Sequence, residues 1–146
     1  MKDKSIDIIE RMEILLSALY QDAQDTKNSI VFDYNPGYPR FLNFDAENFI
    51  KALENICKFF LYYTEYASIS IIFHLKNYSS KAVHFNINIK SNRSVINPKQ
   101  YYLNKINEYL QKANSTLLNH NDGEFIISLT ATLNNINLQQ TLINLK

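Results

Sequence analysis

Residues 44–64 run FDAENFIKALENICKFFLYYT, and their apolar residues recur at intervals of three and four positions. This spacing places the recurring side chains on one face of a helix, namely Phe49, Leu53, Ile56, Phe60 and Tyr63. Ile50 and Cys57 widen that face. Asp45 is suited to cap the helix, because its carboxylate can accept hydrogen bonds from the unpaired amides of the first turn. We predict a long helix that begins at Asp45 and is the central, most buried helix of the fold.

Another helix and two short strands are predicted before this segment. From Ser5 to about Tyr20 the apolar residues again have helical spacing, at Ile8, Met12, Leu15 and Leu19. Residues 29–34 and 41–44 have the composition of short strands. The segment NPGYPR between them contains Pro36, Gly37 and Pro39 and predicts a loop.

A hairpin is predicted after the central helix. Apolar and polar residues alternate over residues 69–75 and again over residues 83–90, and the segment NYSSK between them is suited to a turn. His74 and His84 fall on the polar side of these strands. One apolar and one polar face are typical of an antiparallel sheet that helices cover on one side.

The last part of the chain predicts a helix and two strands. Asn97 and Pro98 have the pattern of an N-cap followed by the first helical residue, and we expect this helix to run to about Leu118. NHNDG at 119–123 breaks the chain, and strands are predicted at 124–133 and 138–145, joined by Asn134 and Asn135. The element order is α, β, β, α, β, β, α, β, β.

These elements predict the fold class α+β. We expect a two-layer sandwich in which a mixed, mostly antiparallel sheet is covered on one face by about three helices. Since the chain has 146 residues and no linker or low-complexity segment, residues 1–146 are expected to form a single domain. The alternative is that this domain is a fragment of a larger signalling protein.

The composition excludes several classes of function. The net charge is +1, so there is no broad field to attract nucleic acid or an anionic membrane. Cys57 is the only cysteine, which excludes an internal disulfide and a thiolate-rich metal site and leaves a small buried side chain. No segment approaches 18 uncharged apolar residues, and we expect a cytoplasmic protein without membrane insertion.

No intact catalytic or metal-binding motif is present. The sequence lacks GxxxxGK[ST], GxGxxG, GxSxG and HExxH, and His74, His84 and His120 have no carboxylate or cysteine at ligand spacing. We therefore predict no catalytic residue and no metal site.

Two other groups of residues have a structural and a functional interpretation. Lys90, Arg93 and Lys99 surround the loop SNRSVINP, which could hold an anion but is more often a solvated loop. Five tyrosines at helix ends favour packing over base stacking. They are Tyr62, Tyr63, Tyr66, Tyr101 and Tyr102.

The segment FDAENFIKALENICKFFLYYT resembles the N-box helix of histidine-kinase ATP-binding domains, which typically has an aspartate and then an amphipathic helix with NLLxNAxK(F/Y)T. Residues 5–20 are similar to the first helix of that domain. VHFNINIKSNRSVI, residues 83–96, is similar to the strand that enters the family's DxGxG loop, and LLNHNDGEFIISL, residues 117–129, to its GGxIxVxS end. The resemblance implies the GHKL, or Bergerat, fold.

The resemblance also implies a degenerate nucleotide pocket. Asn55 matches the first asparagine of the N-box, but Phe59 stands where the family has the asparagine that ligates magnesium. Ser91 replaces the aspartate that accepts the adenine amino group, and Arg93 and Val95 replace two loop glycines. We expect no bound cofactor, since ATP binding of the family's kind should be lost or very weak.

Three hypotheses follow. The first is a degenerate domain, a pseudokinase, that acts in two-component signalling by contacting a response regulator, a sensor kinase or a second copy of itself. The second is an ATP-binding or kinase catalytic domain that still uses Asn55, Lys58 and the basic loop in a non-standard pocket, with magnesium. The third is an unrelated α+β module whose helix face closes on an apolar ligand or a partner helix.

Overall fold

The computed structural model describes residues 5–121 and 123–133. In chain order the elements are β1 (Ile6–Asp7), α1 (Ile8–Asp25), β2 (Ser29–Asp33), β3 (Phe41–Leu42), α2 (Ala46–Tyr63), β4 (Ser68–Tyr78), β5 (Ala82–Ser91), α3 (Gln100–Lys112), β6 (Thr116–Asn121) and β7 (Glu124–Thr132). The predicted order is confirmed from α1 to α3, with β1 as an additional strand before α1 and β6 as an additional strand between α3 and the predicted strand that forms β7.

Within the described residues, five strands form one mixed sheet in the order β2-β4-β5-β7-β6. β2 is parallel to β4, and the other neighbours are antiparallel. The predicted hairpin is present as β4 and β5, and its turn is closed by the amide of Ser79, which donates to the Ala82 carbonyl at 2.8 Å. The structure thus confirms the α+β class with three helices and a mixed, mostly antiparallel sheet.

The core lies between α2 and the inner face of the sheet. Along β5 the buried residues alternate with partly exposed ones, as the period of a half-buried strand requires. The buried strand residues are Ile69, Ile71, Phe73, Val83, Phe85, Ile87, Ile89, Phe125, Ile127, Leu129 and Ala131. Nine residues of α2 are buried, more than in α1 or α3, which confirms that α2 is the central helix. Burial of Cys57, which is 0% exposed, raises the pKa of its thiol to about 12.

The predicted cap of α2 is confirmed. Asp45 accepts a hydrogen bond from the amide of Asn48 at 3.2 Å. α1 begins later than predicted, at Ile8, because Asp7 caps it by accepting from the amides of Ile9 and Glu10. It also continues past Tyr20 to Asp25.

The predicted bounds of the third helix are wrong at both ends. Asn97 has a φ of 51° and is not the N-cap; the helix starts at Gln100 and ends at Lys112. Asn114 ends it by adopting a φ of 58°, a left-handed conformation that asparagine tolerates. Residues 116–121, assigned to the helix and the following turn, form β6, which pairs with β7.

A hairpin follows α3. It consists of β6 and β7, and the strand predicted at 124–133 is confirmed as β7. The amide of Gly123 donates to Asn121 Oδ1 at 3.0 Å in the turn. The predicted strand at 138–145 and its connection through Asn134 and Asn135 lie outside the described residues.

Asn28 joins four elements at one end of the molecule. Its Nδ2 donates to the carbonyls of Leu61 and Thr64 at the end of α2, at 3.2 and 3.1 Å. Its Oδ1 accepts from the amide of Ala67 at 2.8 Å, just before β4, and its own amide donates to the Ala23 carbonyl in α1. Asn28 is 8% exposed. Because water is excluded from this site, each of these hydrogen bonds satisfies a polar group that water cannot reach.

We predict that Asn28→Ala lowers the free energy of unfolding by about 2 to 3 kcal/mol, because it leaves buried backbone groups without partners. Urea denaturation measures the change. The matched control is Asn107→Ala on the exposed face of α3, expected to alter stability by less than about 0.5 kcal/mol. Equal effects at the two positions would show that the Asn28 network does not stabilise the fold.

Candidate functional site

The end of α2, the loop after β5 and the β6–β7 turn meet at one end of the sheet. Ser91 ends β5, and its amide donates to the Gly123 carbonyl in the β6–β7 turn at 2.8 Å. The following loop returns to α2, since the amide of Ile96 donates to the Tyr63 carbonyl at 3.0 Å. The C-terminal half of α2, the end of β5 and the β6–β7 hairpin therefore form one region.

Phe59 is at the centre of this region and is 1% exposed. Its ring centroid lies 5.5 Å from that of Phe125, 5.6 Å from Phe60, 6.0 Å from Tyr63 and 6.1 Å from His120. We call these five residues the aromatic cluster. The separations fall in the range of favourable edge-to-face contacts. The position that the resemblance assigns to a metal-ligating amide is thus part of the core.

His120 and Phe125 were not identified from the sequence as part of the site. His120 was placed in a turn, but it lies in β6, and its ring stacks on Phe125 with centroids 4.3 Å apart and planes 27° apart. Residues 116–121, TLLNHN, show no alternation of apolar and polar residues, and the stacking depends on the register of β6 with β7, which sets His120 opposite Phe125.

The polar groups of α2 are paired locally. The side-chain amide of Asn55 donates to the Lys51 carbonyl one turn earlier, at 2.8 Å. Lys58 Nζ lies 3.0 Å from Glu54 Oε2. Partial burial lowers the pKa of Lys58, but the hydrogen bond to the Glu54 carboxylate and its charge outweigh this, and the net pKa is above the ordinary value.

Ser91 and Arg93 form a local turn. The Ser91 hydroxyl donates to the Arg93 carbonyl at 2.8 Å and accepts from the Arg93 amide at 3.1 Å. Val95 packs partly against the core, while Lys90, Arg93 and Lys99 are exposed. Ser91 and Arg93 therefore lie together, and the Ser91 hydroxyl is already hydrogen-bonded to the backbone of the loop.

α3 packs directly on α2. The ring of Tyr102 lies 5.8 Å from Tyr62 and 6.2 Å from Tyr63, and Lys51 Nζ lies 5.7 Å from the ring of Tyr109. Tyr62 also donates to Asp22 Oδ2 of α1 at 2.8 Å. The packing predicted for the helix-end tyrosines is confirmed for Tyr62, Tyr63 and Tyr102, whereas two others remain mostly exposed. These are Tyr66 and Tyr101, at 60% and 58%.

Metal-ligand geometry is absent from the described ranges, where no three His, Cys, Asp or Glu side chains are grouped so that they could hold an ion. His84 Nδ1 instead lies 2.9 Å from Thr130 Oγ1 on the outer face of the sheet. In residues 5–121 and 123–133, no helix has the length and apolar character needed to cross a membrane.

The fold is similar to that of solved histidine kinases. The histidine kinase AdeS of Acinetobacter baumannii superposes with a TM-score of 0.62 and 14% identity over 90% of this chain and 68% of that one. The catalytic domain of the histidine kinase ThkA, in a nucleotide-free form, gives 0.60 and 12% over 88% and 95%. Full-length ShkA in complex with AMPPNP gives 0.64 and 12% over 91% and 32%. No family model and no curated protein matches the sequence.

The chain therefore has the fold of histidine-kinase catalytic domains, as the sequence resemblance implied. At 7 to 14% identity the similarity concerns the fold alone.

We predict that Phe59→Ala lowers the free energy of unfolding by about 3 to 5 kcal/mol, because it removes a fully buried ring from the aromatic cluster. Chemical denaturation followed by circular dichroism gives the value. Tyr101→Ala, which removes an exposed ring from α3, is the control and should cost less than about 1 kcal/mol. A loss below 1 kcal/mol for Phe59→Ala would mean that the ring does not hold α2 to the hairpin.

Proposed function

We propose that this chain is a degenerate histidine-kinase catalytic-like domain that acts in two-component signalling by contacting another protein, and that it has lost nucleotide binding. The observation that supports the proposal most directly is the burial of Phe59 in the aromatic cluster. A domain of this fold that binds magnesium and ATP needs an oxygen ligand where this ring packs.

The chemistry of the remaining positions supports the same conclusion. Magnesium prefers near-octahedral oxygen ligands, and a phenyl ring offers none. The amide of Asn55 and the hydroxyl of Ser91 are already bonded within their own helix and loop. With only two glycines in the chain, a glycine-rich cradle for phosphates is not available.

The connection between β5 and α3 is short, since only residues 92–99 separate them. α3 lies against the C-terminal end of α2 through the contacts of Tyr102 with Tyr62 and Tyr63.

The outer surfaces of α1 and α2 are suited to binding another protein. Ile14 and Tyr20 are 60% and 61% exposed on α1, and Tyr62 is 42% exposed on α2. Large apolar side chains on a nearly neutral protein favour contact with another protein over nucleic acid. By the resemblance, the first helix and the exposed face of α2 would meet a response regulator or a sensor kinase.

We predict that saturating ATP with magnesium leaves the melting temperature unchanged in a thermal-shift assay. A ligand present at a hundredfold its dissociation constant would add about 2.7 kcal/mol, which for a domain of this size is a rise of several degrees. Such a rise would contradict the proposal and support retained ATP binding through Asn55, Lys58 and the basic loop. The control is Lys58→Ala with Arg93→Ala, which would abolish a rise caused by that site.

We also predict that Ile14→Asp weakens binding to a receiver domain or a sensor kinase from the same organism, measured by calorimetric titration, by about tenfold or more. Leu118→Asp is the control, because Leu118 is similarly exposed, at 51%, but lies on β6. Equal loss in both variants, or none in either, would exclude the outer face of α1 as the contact surface.

A further inference from the structure

The strand β2 is the terminal strand of the sheet that the described residues form. The amide of Ser29 donates to the Ala67 carbonyl at 3.0 Å, on the side of β4. Successive residues of a strand direct their backbone groups to opposite edges, so Val31 and Asp33 also face β4. The amides and carbonyls of Ile30 and Phe32 therefore point to the outer edge of the sheet.

The two edges of this sheet differ in how they resist pairing with another strand. Proteins usually protect an edge with a bulge, a proline or lysine side chains. β6 has a register irregularity between Leu117 and Asn119. β2 has none, pairing continuously from Ser29 to Asp33, and its sequence SIVFD contains neither lysine nor proline. Among the described residues, β2 therefore carries none of these three protecting features.

We propose that β2 pairs antiparallel with β2 of a second copy of this chain, about a two-fold axis at Val31. This register places Ile30 opposite Phe32 of the second copy, and the outward groups of these residues form four hydrogen bonds across the axis. Such an interface is isologous and closes after two subunits.

The side chains of β2 are self-complementary in this register. Val31 is 56% exposed on the outer face and meets Val31 of the second copy in a non-hydrogen-bonded pair, where side chains approach most closely. Ser29 lies opposite Asp33 of the second copy, so no like charges face each other. This match between apolar and polar positions favours a second copy over an unrelated peptide as the occupant.

The inner side of the same edge carries a cavity of about 330 Å³ between α1 and β2. Leu16, Tyr20 and Ile30 line it. Pairing sets Phe32 of the second copy opposite Ile30 on this side, so that apolar surface continues across the axis. Because a strand pair buries less area than a standard interface, the dimer is expected to be weak, with a dissociation constant in the micromolar range or above.

Sedimentation velocity of the full chain from micromolar to millimolar concentration tests the pairing. Wild type should show a reversible monomer–dimer equilibrium. Val31→Lys and Val31→Glu should each weaken the dimer about fivefold or more, because like charges then lie directly opposite. An equimolar mixture of the two variants should restore the dimer. Val31→Thr, which is β-branched and neutral, should keep it, and equal melting temperatures show that all variants fold.

Hydrogen exchange of the Ile30 and Phe32 amides completes the test, since their protection should rise with protein concentration. A monomer at every concentration would overturn the proposal, as would a dimer insensitive to charge at Val31, which must use another surface. Protection of both amides in a monomer would also overturn it, because a segment of the same chain would then cover the edge. These results do not depend on whether the domain binds nucleotide.

Discussion

The contact between the rings of Phe59 and Phe125 joins the central helix to β7, with centroids 5.5 Å apart. Phe59 belongs to the apolar face of α2, and Phe125 belongs to the buried face of β7, so their packing holds the two layers together at this end. The β6–β7 turn is in turn bonded to Ser91. The position of the loop after β5 therefore depends on the same contact.

The contact also accounts for the proposed loss of nucleotide binding. An amide at residue 59 would need a polar partner, since burying an unpaired polar group costs about 1 to 3 kcal/mol. A phenyl ring at the same position stabilises the core through apolar burial and edge-to-face contacts. α2, the sheet and the Asn28 network hold together the fold that the chain shares with histidine-kinase catalytic domains. A scaffold stabilised in this way can present α1 and α2 to another protein.

Local patterns were sufficient for much of the fold. The spacing of apolar residues and the Asp45 cap predicted α2, and the alternation of apolar and polar residues predicted β4 and β5. Burial of one face of a helix or strand requires apolar residues at regular intervals, which the sequence shows directly. The end of α3 could not be predicted, since it depends on the left-handed conformation of Asn114 and on the pairing of β6 with β7. Asn97 and Pro98 have the pattern of a helix start, yet the helix begins only at Gln100.

The residues of the candidate site were assigned from the resemblance. The resemblance located Phe59 and Ser91, and the structure places both in one region. The stacking of His120 on Phe125 depends on strand register, and the hydrogen bonds of Asn28 to α2 join residues far apart in sequence. Neither contact can be predicted from a local pattern. Local patterns likewise do not show that β2 is the end strand of the sheet formed by the described residues, which is seen only in the strand order.

Nuclear Overhauser contacts among the rings of Phe59, Phe125 and His120, recorded with and without saturating ATP and magnesium, test the central claim most directly. The closed aromatic cluster predicts the same cross-peaks in both spectra and unchanged amide shifts for residues 91–95. Loss of the cross-peaks from Phe59, together with shifts in that loop, would show that a nucleotide displaces the ring and would contradict the account.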